Sequence, residues 1–283
     1  MSVLIGIVLR TLLILLGLAS ASCTVPPPAA ALVPSPPPQP ADPPTPDAVP
    51  SAEIASGETS TAPIQAPRVA EMVLSGIPIT ALAFDSRSHR LVIADQPGGP
   101  ASRWPDAKAA AASRRGLAAL NGGFFTPEGA PLGLLVAGSK TAGSLNRASS
   151  LGAGLLVADG SPALVRRESG RRGPELLQSG PFLVEHGRPV AGLSPESSTA
   201  RSFVGWDGGH RWFIARSGPC SLLALGKALA SAEIGGVSAR SVLNLDGGRS
   251  SDLWIGPSVP GGPLEQRPFW NNPVRNFLIL LPR

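Results

Sequence analysis

Residues 201–217 read RSFVGWDGGHRWFIARS, two strand-like runs rich in β-branched and aromatic residues on either side of Asp207-Gly208-Gly209. An Asp-Gly pair between such runs is a strong local signal for an antiparallel hairpin. Moving outward towards the C-terminus, SLLALGKALASAEIGG reads as a helix. Ser221 caps it, Leu222, Leu225 and Leu229 form its apolar stripe, and Gly235-Gly236 ends it. SVLNLDGG and VRNFLILLPR follow as further strands. Towards the N-terminus, ITALAFD and HRLVIAD read as strands joined by a hairpin turn at SRS. PDAKAAAASRRG reads as a short helix with Asp106 at its start and Gly116 as its C-cap, and LAALN as a buried strand ending at Asn121. PLGLLVAGSK and LGAGLLVADGSPALVRR add strands, and SGPFLVEHGRPV turns at His186-Gly187. Many short strands with a few helices indicate an α+β fold: a single domain over residues 69–283 with a largely antiparallel or mixed β-sheet and a few packed helices.

The first 68 residues are different in kind. Residues 1–22 carry Arg10 and the short apolar run TLLILLGLASAS, the layout of a signal peptide. Ala19-Ser20-Ala21 suits ordinary cleavage, Cys23 suits a lipoprotein signal acylated at that cysteine, and an uncleaved anchor is a third reading. Residues 23–68 are proline-rich with Ser, Ala and Thr filler, which builds no core and is expected to be a disordered, extended linker. Export to a periplasm or cell envelope is the expectation, with membrane attachment through Cys23 on the lipoprotein reading alone. The chain has two cysteines, Cys23 and Cys220, so no disulfide framework is expected, and Cys220 reads as a buried apolar residue. The formal net charge of +5 comes without a basic helix or a basic run interleaved with aromatics, which argues against nucleic acid as a partner.

The familiar catalytic signatures are absent: no GxSxG elbow, HExxH pair, phosphate-binding Walker loop or paired CxxC motifs. The three histidines lie in or beside expected turns. Two strand-to-loop junctions carry chemistry instead. In VLNLDGGRSS, residues 242–251, a strand delivers Asp246 into Gly247-Gly248, whose backbone N–H groups could approach an anion, with the Ser250 and Ser251 hydroxyls beside them. The same spacing also fits a tight turn in which Asp246 only caps backbone N–H groups. In AALNGGFF, residues 118–125, Asn121 could hold a sugar hydroxyl, while Phe124 and Phe125 fit a core.

Taken in order, ALNGGFFTPEGAPLGLLVAGSK, LLQSGPFLVEHGRPV, TARSFVGWDGGHRWFIARS, a helix and VLNLDGGRSSDLWI resemble the phosphodiester glycosidase domain family. Its NGG-aromatic motif falls on Asn121, Gly122, Gly123 and Phe124. Its Gln-Ser-Gly-Pro segment falls on Gln178–Pro181 and includes Ser179, and its hairpin arginine falls on Arg201. Its LDGG motif falls on Leu245–Gly248, followed by Ser250. The family commonly has a small residue after LDGG, where this chain has Arg249.

The resemblance implies a hydrolase that cleaves a sugar-1-phosphodiester to free sugar and a phosphomonoester. Asp246 and Arg201 would be its catalytic pair, and Asn121, Gly122, Gly123, Ser179, Gly247, Gly248 and Ser250 its substrate-binding residues. The expected partner is a sugar phosphodiester or phosphate-linked glycan. No cofactor and no metal site is called for, although a divalent ion beside Asp246 is compatible with the loop. A non-catalytic envelope protein that binds phosphate-linked glycans is the alternative.

Overall fold

The computed structural model describes residues 63–283; the expected signal, Cys23 and most of the proline-rich linker lie outside them. The opening hairpin forms as read. Strand β12 (Ser202–Trp206) pairs antiparallel with β13 (Arg211–Ser217), from Ser202 opposite Arg216 to Trp206 opposite Trp212. Around it grows a seven-stranded sheet in the order β1-β2-β13-β12-β16-β10-β11. Its other strands are β1 (Arg68–Leu74), β2 (Ile77–Asp85), β10 (Phe182–Glu185), β11 (Arg188–Pro189) and β16 (Ser241–Asn244).

A second sheet runs β18-β17-β4-β19-β3. It contains β3 (His89–Asp95), β4 (Ala118–Asn121), β17 (Leu253–Ile255), β18 (Leu264–Gln266) and β19 (Asn276–Pro282). A third sheet, in the order β6-β5-β9-β7-β8, comprises β5 (Leu135–Ala137), β6 (Lys140–Ala142), β7 (Gly154–Val157), β8 (Ala163–Arg166) and β9 (Leu176–Ser179). Strands β14 (Glu233–Ile234) and β15 (Val237–Ser238) form a separate small hairpin. Neighbouring strands pair antiparallel throughout these sheets.

The apolar pattern explains the layering. One face of the seven-stranded sheet contributes Leu82, Val204, Ile214 and Leu243 to a core shared with Leu120 and Leu278 of the second sheet and Leu156 and Leu177 of the third. Its other face, with Phe203, Phe213 and Val242, is covered by helix α2 (Leu222–Ala230) through Leu225, Ala228 and Leu229. Helix α1 (Ala107–Ala112) covers the outer face of the second sheet against Val92, Phe277 and Ile279. Each fully buried Leu, Ile or Phe at these contacts stabilises the fold by roughly 1.5–3 kcal/mol.

Three local expectations give way. The segment SRS does not close a hairpin, because β2 and β3 belong to different sheets. The buried Asp85 accepts hydrogen bonds from Arg87 N (2.9 Å) and Nη2 (2.7 Å), which turns the chain from one sheet into the other. Gly116 is not the cap of α1; Ser113 occupies that position, and Gly116 lies against Ile279. Gly235-Gly236 does not end α2, which stops at Ala230, but forms the turn between β14 and β15.

Candidate active site

Strands β4 and β16 belong to different sheets, yet their C-terminal ends meet. Asn121, the last residue of β4, donates from Nδ2 to the carbonyl of Asp246 at 2.7 Å, and Asp246 N donates to the carbonyl of Gly122 at 3.0 Å. Asn121 Oδ1 accepts from Ser202 Oγ at 2.6 Å and from Asp252 N at 3.1 Å. One side chain thus ties β12, β17 and the LDGG loop to the end of β4. Asn121, expected to hold a sugar hydroxyl, is completely buried, and both polar atoms of its side chain are engaged within the protein.

The glycines follow from the same crowding. A Cβ on Gly122 would lie 2.0 Å from Asn276 Oδ1, so only glycine lets the turn settle on that side chain. The N–H groups of Gly122 and Gly123 donate to Asn276 O and Oδ1, each at 2.9 Å. Gly248 adopts φ +63 and opens a short 3-10 turn, Gly248–Ser250, with its N–H on the carbonyl of Ala200 at 2.8 Å. Gly247 N donates to Asp246 Oδ1 at 2.9 Å. All four glycine N–H groups are therefore engaged within the protein. The glycine nest expected to meet a phosphate fastens one loop to the next.

Asp246 is the ionisable group at this junction. Burial of its carboxyl raises the pKa to about 6, against the lowering effect of hydrogen bonds from Ser250 and Gly247. No cation contributes to that balance. Removing the Ser250 hydroxyl takes away one bond that favours the charged form. Ser250→Ala is therefore expected to move the Asp246 titration upward, which a carboxyl-resolved NMR titration of wild type and variant would read.

Arg201 directly precedes β12 and packs against Gly247 of the LDGG loop. Its guanidinium donates from Nε to the Cys220 carbonyl (3.2 Å) and from Nη2 to the Ser197 carbonyl (2.5 Å). Two of its five N–H donors are thus used to set its direction, and its charge meets no carboxylate among the described residues. Burial lowers its pKa, without threatening its charge at neutral pH. Cys220 is a buried free thiol, packed among apolar neighbours and raised in pKa by burial.

Ser179 is buried, and its Oγ makes no hydrogen bond among the described residues. Its neighbour Gln178 is a hub. Gln178 Oε1 accepts from Leu134 N and Asn146 N, and Nε2 donates to the carbonyls of Asn146 and Gly152, at 2.7–2.8 Å. The Gln-Ser-Gly-Pro segment therefore organises the 132–152 region, and the backbone of Gln178 packs on Gly123. Arg249, outside the expected set, turns to the carbonyl of Trp270 through Nε at 3.0 Å.

Three residues matter here that the sequence did not single out. Ser202 and Asn276 carry the hydrogen bonds just described. Asp252 is a second buried carboxyl raised to about 6, chiefly by burial, and its Oδ2 accepts from Ala107 N at the start of α1 (2.9 Å). Asp252 directly precedes the apolar strand Leu253–Ile255 and Asn276 opens β19; a polar residue bordering a buried strand is the signal that could have flagged both.

The comparisons with known proteins agree with this frame. The family model for phosphodiester glycosidase matches residues 115–281. The catalytic domain of zebrafish N-acetylglucosamine-1-phosphodiester alpha-N-acetylglucosaminidase, auto-inhibited by its pro-peptide, superposes with a TM-score of 0.53 at 16% identity, covering 79% of this chain and 85% of that one. A hypothetical protein from Synechocystis superposes with a TM-score of 0.50 at 17% identity, covering 79% of this chain and 64% of that one. The likeness to these two structures concerns the fold. No curated protein sequence matches the chain.

Proposed function

We propose that this chain, which belongs to the phosphodiester glycosidase family, hydrolyses the bond between the anomeric carbon of a sugar and a phosphodiester oxygen. The observation that carries the reading is the reciprocal pair of hydrogen bonds, Asn121 to Asp246 and Asp246 to Gly122, which holds a carboxyl with no cationic partner among the described residues between two of the family's motifs. In the reaction the C1–O bond to phosphate breaks, its electron pair leaves with the phosphate oxygen, and water supplies the new C1–O bond. Positive charge builds on C1 and the ring oxygen, where the ionised Asp246 stabilises it. Asp246 can also attack C1 or take the water's proton; all three roles need the charged form. A phosphate leaving group needs little protonation but much charge stabilisation, which the remaining Arg201 donors suit.

Incubating the purified protein with UDP-GlcNAc and with a simple GlcNAc-1-phosphodiester, and following free sugar, tests the reaction. Sugar release supports it, whereas saturable binding of phosphate-linked glycans without release would support the non-catalytic binder. Arg249, where the family commonly has a small residue, has its guanidinium engaged with the Trp270 carbonyl. Arg201→Ala is expected to lower kcat/KM by roughly 10²–10³, the scale of losing one oriented donor to developing charge. Turnover within a few-fold of wild type would remove Arg201 from the reaction. Export and anchoring at Cys23 rest on residues 1–23 alone; metabolic labelling with a palmitate analogue, compared between wild type and Cys23→Ala, checks the anchor.

A further inference from the structure

Phe269 and Trp270 are 90% and 73% exposed, the two most exposed large apolar side chains among the described residues. Their rings meet edge to face with centroids 4.9 Å apart, so each limits the other's freedom. An adjacent pair of aromatic rings left in water is the kind of exposed apolar surface that marks a binding site.

Its place in the fold connects it to the candidate site. The pair sits on the connection from β18 to β19, which is fastened around the candidate site at three points. At its start Arg267 Nη1 donates to Asp106 Oδ2 at 3.0 Å, beside α1. At its middle the LDGGR loop holds it twice: Arg249 Nε donates to the Trp270 carbonyl (3.0 Å), and Asn272 N donates to the Arg249 carbonyl (2.8 Å). At its end Asn276 receives the N–H groups of Gly122 and Gly123. The aromatic pair is therefore carried by a segment bonded directly to both loops that flank Asp246. Two polar atoms of this segment, Asn271 Oδ1 and Asn276 Nδ2, are buried and make no hydrogen bond among the described residues.

From this placement we propose that Trp270, braced by Phe269, is the stacking wall for the pyranose ring of the substrate. Sugars present a face of C–H groups that packs on an indole ring, while their hydroxyls need polar partners at the edge. The segment offers the ring for that C–H face, with Trp270 73% exposed. Arg249 then acts as a positioning residue that locks the wall to the LDGG loop. The inference rests on the glycosidase reading for its ligand class, and its test is separable from turnover.

The probes are α-GlcNAc-1-phosphate and the corresponding glucose, galactose and mannose 1-phosphates, titrated calorimetrically into wild type, Trp270→Ala and Trp270→Phe. Trp270→Ala is expected to weaken binding of the preferred sugar phosphate about tenfold, equivalent to about 1.4 kcal/mol. Trp270→Phe should restore most of it, and inorganic phosphate should bind wild type and Trp270→Ala equally. Because the side chain is exposed, the melting temperature should hardly change, so misfolding is not a competing cause. If substrate is turned over, KM rises while kcat stays within about twofold. Equal sugar-phosphate affinity in wild type and Trp270→Ala overturns the proposal, as does a wild type that binds none of the four. Loss of binding to phosphatidylglycerol vesicles with unchanged sugar affinity also overturns it, making the pair a membrane contact. A wild type that binds sugar phosphates through Trp270 but hydrolyses no phosphodiester would sink the proposed reaction and leave the stacking wall standing.

Discussion

Asp246→Asn is expected to slow release of sugar from a GlcNAc-1-phosphodiester by roughly three to four orders of magnitude while the fold remains intact. Asparagine preserves the shape and can still accept from Gly247 N, so the backbone anchors of the loop survive. What disappears is the negative charge facing an oxocarbenium-like centre. The pH dependence follows from burial. With a pKa of about 6, Asp246 is protonated in weak acid, so wild-type kcat/KM should fall about tenfold per pH unit below that value. Asp252 also titrates near 6, so an acid limb by itself does not assign the group. An upward move of the limb in Ser250→Ala would assign it, because Ser250 bonds Asp246.

Asp246→Asn should also be more stable than wild type at neutral pH. The folded pKa of Asp246 lies above its usual 3.8, so the folded state binds the proton more tightly than the unfolded chain. The sign is then fixed: this group favours folding while protonated, below about pH 4, and the benefit is lost as pH rises through about 6. Ionisation of Asp246 costs on the order of 2–3 kcal/mol at neutral pH, which the asparagine variant avoids. Thermal unfolding at pH 7.5 should show the variant melting several degrees higher, with the gap closing at pH 4. An inactive variant with lowered stability at both pH values would mean that the loop had collapsed, and would say nothing about charge.

The fold class was legible because hairpins and amphipathic helices are local. The Asp207-Gly208-Gly209 turn, the His186-Gly187 turn and the α2 stripe each lie within a few residues of one another. Sheet membership is not local. β2 and β3 are neighbours in sequence and read as a hairpin, yet the buried Asp85 with Arg87 turns the chain between sheets, and no spacing rule announces that. At the candidate site the motif residues were visible, since a carboxylate and paired glycines after a buried strand are unusual. Their division of labour was not. The Gly247 and Gly248 N–H groups, read as anion donors, are taken by the Asp246 carboxylate and the Ala200 carbonyl, and those of Gly122 and Gly123 by Asn276, 153 residues beyond Gly123. Asn121 read as a sugar ligand because its chemistry allows it; only its burial, set by packing of three sheets, turns it inward.

Asn121→Ala is accordingly expected to have the largest effect on stability. The side chain satisfies three buried groups: the Asp246 carbonyl, the Ser202 hydroxyl and the Asp252 N–H. Each such group left unsatisfied costs about 1–3 kcal/mol, partly relieved by local movement, so a loss of roughly 3–5 kcal/mol follows. For a domain of this size that lowers the melting temperature by roughly 6–20 °C. Activity should fall as well, because Asp246 loses the bond that holds its backbone to β4, and the loss should appear mainly in kcat. A residue that touched the sugar instead would give the opposite pattern, a raised KM with an unchanged melting temperature. Combining Asn121→Ala with Asp246→Asn separates the two cases further. If Asn121 acts through Asp246, the double variant should turn over no more slowly than Asp246→Asn alone, while losing the full increment of stability. A further drop in turnover beyond Asp246→Asn would show that Asn121 contributes to the reaction by a route of its own.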